Sequence, residues 1–204
     1  MQKKYVLLLA LSLGVVVADQ WTKYVLLGEL TSALDAKDTF GERVKLFLAE
    51  APPMGFDGYH YRQKSKITVS EDFLRLSYAE NPGAAFGLFR GLSEAWRGPL
   101  FHLVSIGAVV LIGFYFSKLT GVREERWAYF GLPLVLGGAV GNYVDRLARG
   151  FVIDFLDAHW FDKPGWIWPS FNVADTAICV GVGMLVVDAM VRKEKKTAQA
   201  AAVP

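Results

Sequence analysis

Long apolar segments constrain the fold of this sequence more than any other feature. Four segments are candidates for membrane-spanning helices, at residues 5–27, 100–116, 127–144 and 173–191. A helix needs about 17 to 25 residues to cross the hydrocarbon core of a bilayer. Hydrophobic residues make up 53% of the chain, which is high for a soluble domain. The sequence therefore predicts a mainly α-helical membrane protein with four transmembrane helices, organised as a single domain over residues 1–204.

Basic residues at the ends of these segments predict their orientation. They precede the first segment, separate the second from the third, and follow the fourth: Lys3, Lys4, Lys118, Arg123, Arg126, Arg192, Lys193, Lys195 and Lys196. Short loops rich in Lys and Arg remain in the cytoplasm, so both termini are predicted to be cytoplasmic. A cleavable signal peptide is an alternative for the first segment, because the apolar run 6–17 is followed by Ala18. Apolar residues resume at 21–27, which favours a retained span.

The region at about 28–99 has a different pattern, in which apolar and polar residues alternate. This alternation predicts short β-strands at 44–48, 67–69 and 74–78. Strands cannot leave backbone groups unpaired in lipid, so we expect a small extracytoplasmic β-sheet that rests on the helices. Residues 93–97 predict a short interfacial helix with Trp96 at the depth of the lipid headgroups. Residues from about 193 to 204 are charged and then alanine-rich, which predicts a flexible tail.

Composition and motifs also argue against several functional classes. A formal net charge of +2 is too small to indicate a nucleic-acid surface. The three histidines do not form an H-E-x-x-H pair, and the sequence has no phosphate-binding glycine loop with a lysine. We therefore predict no nucleic-acid partner, no metal site and no cofactor.

Two aspartates are the best candidates for chemistry. Asp145 in G-G-A-V-G-N-Y-V-D-R (137–146) and Asp175 in F-N-V-A-D (171–175) each follow an asparagine by three residues. The predicted orientation puts them at matching ends of the last two spans, so their carboxylates can meet. Two carboxylates about 4 Å apart repel strongly and share one proton, a state suited to hydrolysis with one acid and one base. A structural alternative is a helix cap for Asp175 and an ion pair of Asp145 with Arg146 or Arg149.

Other polar residues have more open interpretations. Asp19 and Gln20 in the first span face the bundle, either to bind another helix or to support a site, and Lys23 is expected to extend outward to the membrane surface. Asp154 in V-I-D-F is open in the same way, and its default interpretation is an ion pair with Arg146 or Arg149. The segment N-P-G-A-A-F-G (81–87) is a turn whose backbone a bound chain can approach closely.

Five motifs in order resemble those of the lipoprotein signal peptidases: D-Q-W-T-K (19–23), N-P-G-A-A-F-G (81–87), G-G-A-V-G-N-Y-V-D-R (137–146), V-I-D-F (152–155) and F-N-V-A-D (171–175). The resemblance implies an aspartyl endopeptidase of the bacterial inner membrane. Such an enzyme removes the signal peptide from diacylglyceryl-modified prolipoproteins by cutting before the lipidated cysteine, near the periplasmic face. Cyclic peptides such as globomycin inhibit this family, and membrane lipid surrounds it.

Residue roles follow from the same resemblance. The family's catalytic pair is carried over to Asp145 and Asp175, and its supporting residues to Asp19, Asn81, Asn142, Arg146 and Asn172. The chain departs from the family in the connection before Asn81, which is longer than expected around residues 38–66. Two competing hypotheses are a proton or cation carrier, since acidic residues within spans often mark ion pathways, and an inactive relative that binds lipoproteins.

Overall fold

The computed structural model describes residues 2–83, 93–121, 125–161 and 168–201. Over these ranges the chain forms, in order, α1 (Gln2–Leu30), α2 (Phe40–Phe47), β1 (Ile67–Ser70), β2 (Leu74–Asn81), α3 (Glu94–Lys118), α4 (Arg126–Arg149), β3 (Val152–Ala158) and α5 (Val173–Ala201). The four long helices form a bundle, and the three strands form a sheet at the end of the bundle where α4 stops and α5 begins. The prediction of a mainly helical protein with a small sheet is confirmed.

α4 is the central helix of the bundle, because it packs against α1, α3 and α5. In the described part of the chain, three helices are long and apolar enough to cross a membrane, at Lys3–Leu30, Gly98–Lys118 and Val173–Arg192. The remaining predicted span, 127–144, lies inside α4. Much of the surface of α4 contacts other helices, so its sequence does not need to be as apolar as that of its neighbours.

Glycines allow the close packing around α4. A Cβ atom on Gly137 would lie 2.7 Å from the carbonyl oxygen of Ser12 on α1, and one on Gly138 would collide with the carbonyl oxygen of Ala174 on α5. Small residues let helix backbones approach closely within membranes. The same close approach brings the first turn of α5 against the last part of α4.

The sheet is antiparallel, with the strand order β1-β2-β3. β1 and β2 cover the predicted strands at 67–69 and 74–78, and β3 was not predicted. In the register of β2 with β3, Asn81 lies opposite Val152 and Ala79 lies opposite Asp154. Apolar residues of the sheet pack on the end of α1 in a core that contains Leu27, Leu30, Phe47, Tyr61, Tyr78, Phe151, Ile153 and Phe155.

Three local predictions need correction. Residues 44–48, predicted as a strand, lie mostly in α2. Thr39 and Glu42 form a capping box at the start of this helix, in which each side chain accepts a hydrogen bond from the backbone N–H of the other residue. This cap favours a helix more strongly than the short alternation favours a strand. Residues 93–97 form the beginning of α3 rather than a separate interfacial helix. The predicted tail is helical as far as Ala201, in continuation of α5, and residues 202–204 lie outside the described ranges.

Candidate active site

Buried polar side chains from four elements meet where α4 ends and α5 begins. They come from α1, α4, β3 and the residue before α5: Asp19, Lys23, Asn142, Asp145, Arg149, Asp154 and Asn172. Polar groups removed from water are stable only when they are paired with one another, so the contacts within this cluster define the role of each residue. Because α1 supplies two of them, a retained first helix is favoured over a cleaved signal peptide.

Asp145 is completely buried, and cations and donors occupy both of its carboxylate oxygens. Oδ2 lies 2.9 Å from the ammonium nitrogen of Lys23 and accepts the backbone N–H of Ile153 at 3.0 Å. Oδ1 accepts hydrogen bonds from Arg149 at 3.2 Å and from Gln20 at 2.9 Å. Two cations thus bind this carboxylate directly, and the Ile153 bond ties the end of α4 to β3.

The prediction that Lys23 extends to the membrane surface is wrong, because acceptors inside the bundle surround its ammonium group. Besides Asp145, Nζ donates to Asp19 at 2.8 Å and to the side-chain oxygen of Asn142 at 3.1 Å. The other oxygen of Asp19 accepts the backbone N–H of Ala174 at 2.9 Å, in the first turn of α5. The cluster therefore connects α1, α4 and α5. Asp19 faces the bundle, as expected, and binds both Lys23 and the backbone of α5.

Asp175 and Asn172 form the capping box of α5. The side-chain oxygen of Asn172 accepts the backbone N–H of Asp175 at 2.9 Å, and Asp175 accepts the backbone N–H of Asn172 at 3.3 Å. The other oxygen of Asp175 accepts the side-chain amide of Asn142 at 2.7 Å. Asp175 is only half-buried, so one side of its carboxylate remains accessible. The N-terminus of α5 also favours negative charge at this position.

Asp154, on β3, is the carboxylate that shares a partner with Asp175. The amide of Asn172 donates to Asp154 at 2.7 Å, and that of Asn81 donates at 3.1 Å. Asp154 is 2% exposed, and burial, followed by the charge of Asp175, raises the pKa of Asp154 to about 7. Its proton therefore leaves near neutral pH, where an acid–base group functions best.

The structure brings all the predicted site residues together, but it gives them different neighbours from those expected. Among the described residues, no hydrogen bond joins Asp145 to Asp175, and the amide of Asn142 lies between them. In the part of the chain that the structure describes, Arg146 forms no hydrogen bond with Asp145 or Asp175. It donates to the carbonyl oxygen of Gly83 at 3.0 Å and stacks on the ring of Phe101 at 4.2 Å.

Lys23, Arg149 and Asp154 belong to the cluster, although none of the three was predicted as a site residue. A signal for two of them is present, since Lys23 follows Asp19 by four residues and Arg149 follows Asp145 by four residues. Residues with this spacing lie on the same face of a helix and can pair. Within the described ranges, no group of three or more His, Cys, Asp and Glu side chains could hold a metal ion. The cluster is therefore one of carboxylates that amides and cations stabilise.

Sequence similarity connects the chain with a known family. A sequence model of the family described as signal peptidase (SPase) II matches residues 11–191. The chain belongs to the signal peptidase II family. A relative named lipoprotein signal peptidase, from Anaeromyxobacter sp. strain Fw109-5, is 46% identical over 90% of this chain and 84% of its own length. Another with that name, from Geobacter sulfurreducens, is 43% identical over 65% of this chain and 78% of its own length.

Solved structures support the fold of this signal peptidase II family member. A structure described as a bacterial membrane enzyme covers 93% of this chain and 90% of its own, with a TM-score of 0.63 and 23% identity. A second with the same description gives a TM-score of 0.57 at 23% identity. Membership in a peptidase family makes the chain a membrane protease, which favours the peptidase hypothesis over the ion carrier.

Proposed function

We propose that this chain is an aspartyl endopeptidase that removes the signal peptide from diacylglyceryl-modified prolipoproteins, with the cut just before the lipidated cysteine. The names of its relatives support the substrate class. The observation that carries the chemistry is the pairing of Asp154 with Asp175 around Asn172. Asn172 donates its amide to the first carboxylate and caps the helix that carries the second.

This pair differs from the one that the family resemblance first suggested. Asp145 is the weaker candidate, because both of its oxygens are already bound and two cations lie within 3.2 Å. Lys23, Ile153, Arg149 and Gln20 together fill the acceptor sites of both oxygens, which leaves none for water. In the described part of the chain, each oxygen of Asp154 accepts one amide, from Asn172 and from Asn81, instead of a cation. Burial and the charge of Asp175 favour its neutral form near pH 7. Asp145 is then the residue that positions β3, through its bond to Ile153.

The proposed reaction uses the two carboxylates in complementary states. The ionised partner takes a proton from water, whose oxygen attacks the scissile carbonyl carbon, while the protonated partner donates a hydrogen bond to the carbonyl oxygen. The tetrahedral intermediate then collapses, the C–N bond breaks, and a carboxyl proton passes to the leaving amine. The two apparent pKa values belong to the pair as a whole.

The supporting residues hold this pair and the substrate backbone. Asn81 and Asn172 donate to Asp154, and Asn142 donates to Asp175, which fixes the directions of both carboxylates. Arg146 binds the carbonyl oxygen of Gly83, two residues after Asn81, and so fixes the end of β2 beside the site. A rigid arrangement of this kind lowers the barrier because little reorganisation accompanies the reaction.

In the membrane, we propose four transmembrane helices with both termini in the cytoplasm of a bacterium and the site near the periplasmic face of the inner membrane. α4 crosses as a central helix that α1, α3 and α5 cover, which explains its lower apolar content. The lipidated substrate then reaches the site from the bilayer. Cyclic peptides such as globomycin are expected to bind in the same cleft.

Cleavage of a synthetic diacylglyceryl prolipoprotein by detergent-purified protein tests the function. Asp154→Asn and Asp175→Asn should each abolish turnover and leave the protein folded. Asp188→Asn is the matched control, because Asp188 lies toward the other end of α5 and pairs with Arg192. Near-normal turnover in folded Asp154→Asn would refute the proposed pair. Absence of cleavage in wild-type protein would refute the function itself.

A further inference from the structure

The connection between α1 and β1, residues 31–66, packs into the interior of the protein. This is the region that is longer than the family resemblance implies. Two of its aromatic side chains, Phe47 and Tyr61, are each 5% exposed and belong to the core beneath the sheet. That core includes Ile153, the residue directly before Asp154. The connection is thus in contact with the backbone that carries a proposed acid–base residue.

Phe47, the last residue of α2, holds the guanidinium group of Arg149 in two ways. Its carbonyl oxygen accepts a hydrogen bond from Arg149 at 3.2 Å, and its ring lies 4.3 Å from the guanidinium carbon. A buried cation over an aromatic face is attracted to the electrons of the ring. Phe47 therefore supplies partners for a guanidinium whose side chain is fully buried.

Arg149 transmits this contact toward the site. Its other terminal nitrogen donates to Asp145 at 3.2 Å, and the opposite oxygen of Asp145 accepts the backbone N–H of Ile153 at 3.0 Å. A displacement of Arg149 changes the position of the Asp145 carboxylate, and with it the start of β3. Asp154 is the next residue along that strand.

A second contact from the same connection reaches the other side of Asp154. The backbone N–H of His60 donates to Glu80 at 2.9 Å, and the ring nitrogen Nδ1 lies 2.6 Å from the other oxygen of that carboxylate. The His60 ring also stacks on Phe151 at 4.8 Å. Glu80 directly precedes Asn81, which donates to Asp154 at 3.1 Å.

We propose that the connection between α1 and β1 is a positioning element for Asp154, in which Phe47 acts through Arg149 and Asp145, and His60 acts through Glu80 and Asn81. The proposal rests on the proposed function, because it assigns Asp154 to the reaction. Phe47 and His60 are positioning residues that do not contact the reacting atoms. Their loss should therefore lower kcat and leave KM nearly unchanged, since substrate binding does not depend on them.

Substitution at Phe47 separates positioning from core packing. Phe47→Leu keeps an apolar side chain but removes the aromatic face, whereas Phe47→Tyr keeps the ring. Both variants retain the backbone carbonyl that accepts from Arg149. We expect Phe47→Leu to lower kcat about 10-fold to 100-fold, as small misplacements of reacting groups do. We expect Phe47→Tyr to keep most of the wild-type kcat. Phe40→Leu is the control on the same helix, because Phe40 is largely exposed and should tolerate the change.

The second contact is tested with His60→Phe, which keeps an aromatic ring over Phe151 but removes the bond to Glu80. A reduced kcat with an unchanged KM, and an alkaline limb of the pH–rate profile displaced from that of wild-type protein, support the proposal. Wild-type kcat and pH profile in both Phe47→Leu and His60→Phe would overturn it while leaving the peptidase function intact. Loss of cleavage in wild-type protein would instead refute the proposed function.

Discussion

The ammonium nitrogen of Lys23 lies 2.9 Å from a carboxylate oxygen of Asp145, and neither side chain is exposed. The same nitrogen lies 2.8 Å from Asp19, and Arg149 completes the group at 3.2 Å from Asp145. Two negative and two positive groups therefore neutralise one another inside the bundle. The stability of such a cluster depends on all of its members, because removing one leaves another buried without a counter-ion.

Lys23→Met should destabilise the protein strongly, because it leaves Asp19 without a cation and Asp145 with only Arg149. The expected loss in the free energy of unfolding is about 3 to 5 kcal/mol, measured by denaturation in detergent. Lys45→Met on the exposed face of α2 is the control. In the double variant Lys23→Met with Asp19→Asn, part of the loss should return. A single variant as stable as wild-type protein would contradict the buried pairing.

The long helices were predictable because each one contains a long, mainly apolar segment, and β1 and β2 because their side chains alternate. α2 was not predictable, because over eight residues an alternating pattern and a helical pattern look alike. The feature that decides between them is the capping box at Thr39 and Glu42. β3 was missed because its pairing partner, β2, is distant in the sequence. Its two aspartates also make 152–158 too polar to suggest a buried strand.

The members of the site were largely predictable, but their pairing was not. The motifs indicated Asp145, Asp175 and three asparagines, all of which lie in the polar cluster or beside it. Spacing along the chain does not reveal which carboxylate a cation will reach. The ammonium group of Lys23 lies between Asp19 and Asp145. The ion pair between Lys23 and Asp145 depends on how closely α1 packs against α4, which the sequence does not state.

Gly138→Ala should disturb both stability and activity. The new Cβ would collide with the carbonyl oxygen of Ala174, so α5 must move away from α4 at its first turn, where Asp175 lies. Overpacking of this kind costs about 1 to 3 kcal/mol, measurable as a lower free energy of unfolding, together with reduced kcat. Gly183 lies on the same helix as Asp175, and a Cβ atom there would have no neighbour within 4 Å, so Gly183→Ala should behave like wild-type protein. Equal behaviour of the two variants would argue against this tight contact.

Asn172 performs two functions that substitution can separate. Asn172→Ser retains an oxygen that caps α5, whereas Asn172→Ala loses the cap and should lower the free energy of unfolding by about 1 kcal/mol more. Neither serine nor alanine has the side-chain amide that Asn172 donates to Asp154, so both variants should lose most of their turnover. Unfolding and cleavage assays on the same preparations make the comparison. Wild-type turnover in Asn172→Ser would show that the bond to Asp154 is dispensable.

The pH dependence of cleavage should report the protonation of Asp154. Burial and the charge of Asp175 raise the pKa of Asp154 to about 7, so the group is protonated below that pH and ionised above it. Catalysis needs one protonated and one ionised carboxylate, and kcat/KM should therefore fall as the pH rises through about 7. The hydrogen bond from Asn81 stabilises the ionised form and lowers this pKa.

Asn81→Ala should consequently move the alkaline limb of the profile to higher pH, because the ionised form of Asp154 loses a donor. Ser77→Ala, on the same strand, removes a hydroxyl that contacts Asp157 instead and should leave the limb in place. The measurement is kcat/KM for the lipidated substrate across the neutral range. If the alkaline limb of the pH–rate profile of Asn81→Ala stays in place or moves to lower pH, a group other than Asp154 controls the rate.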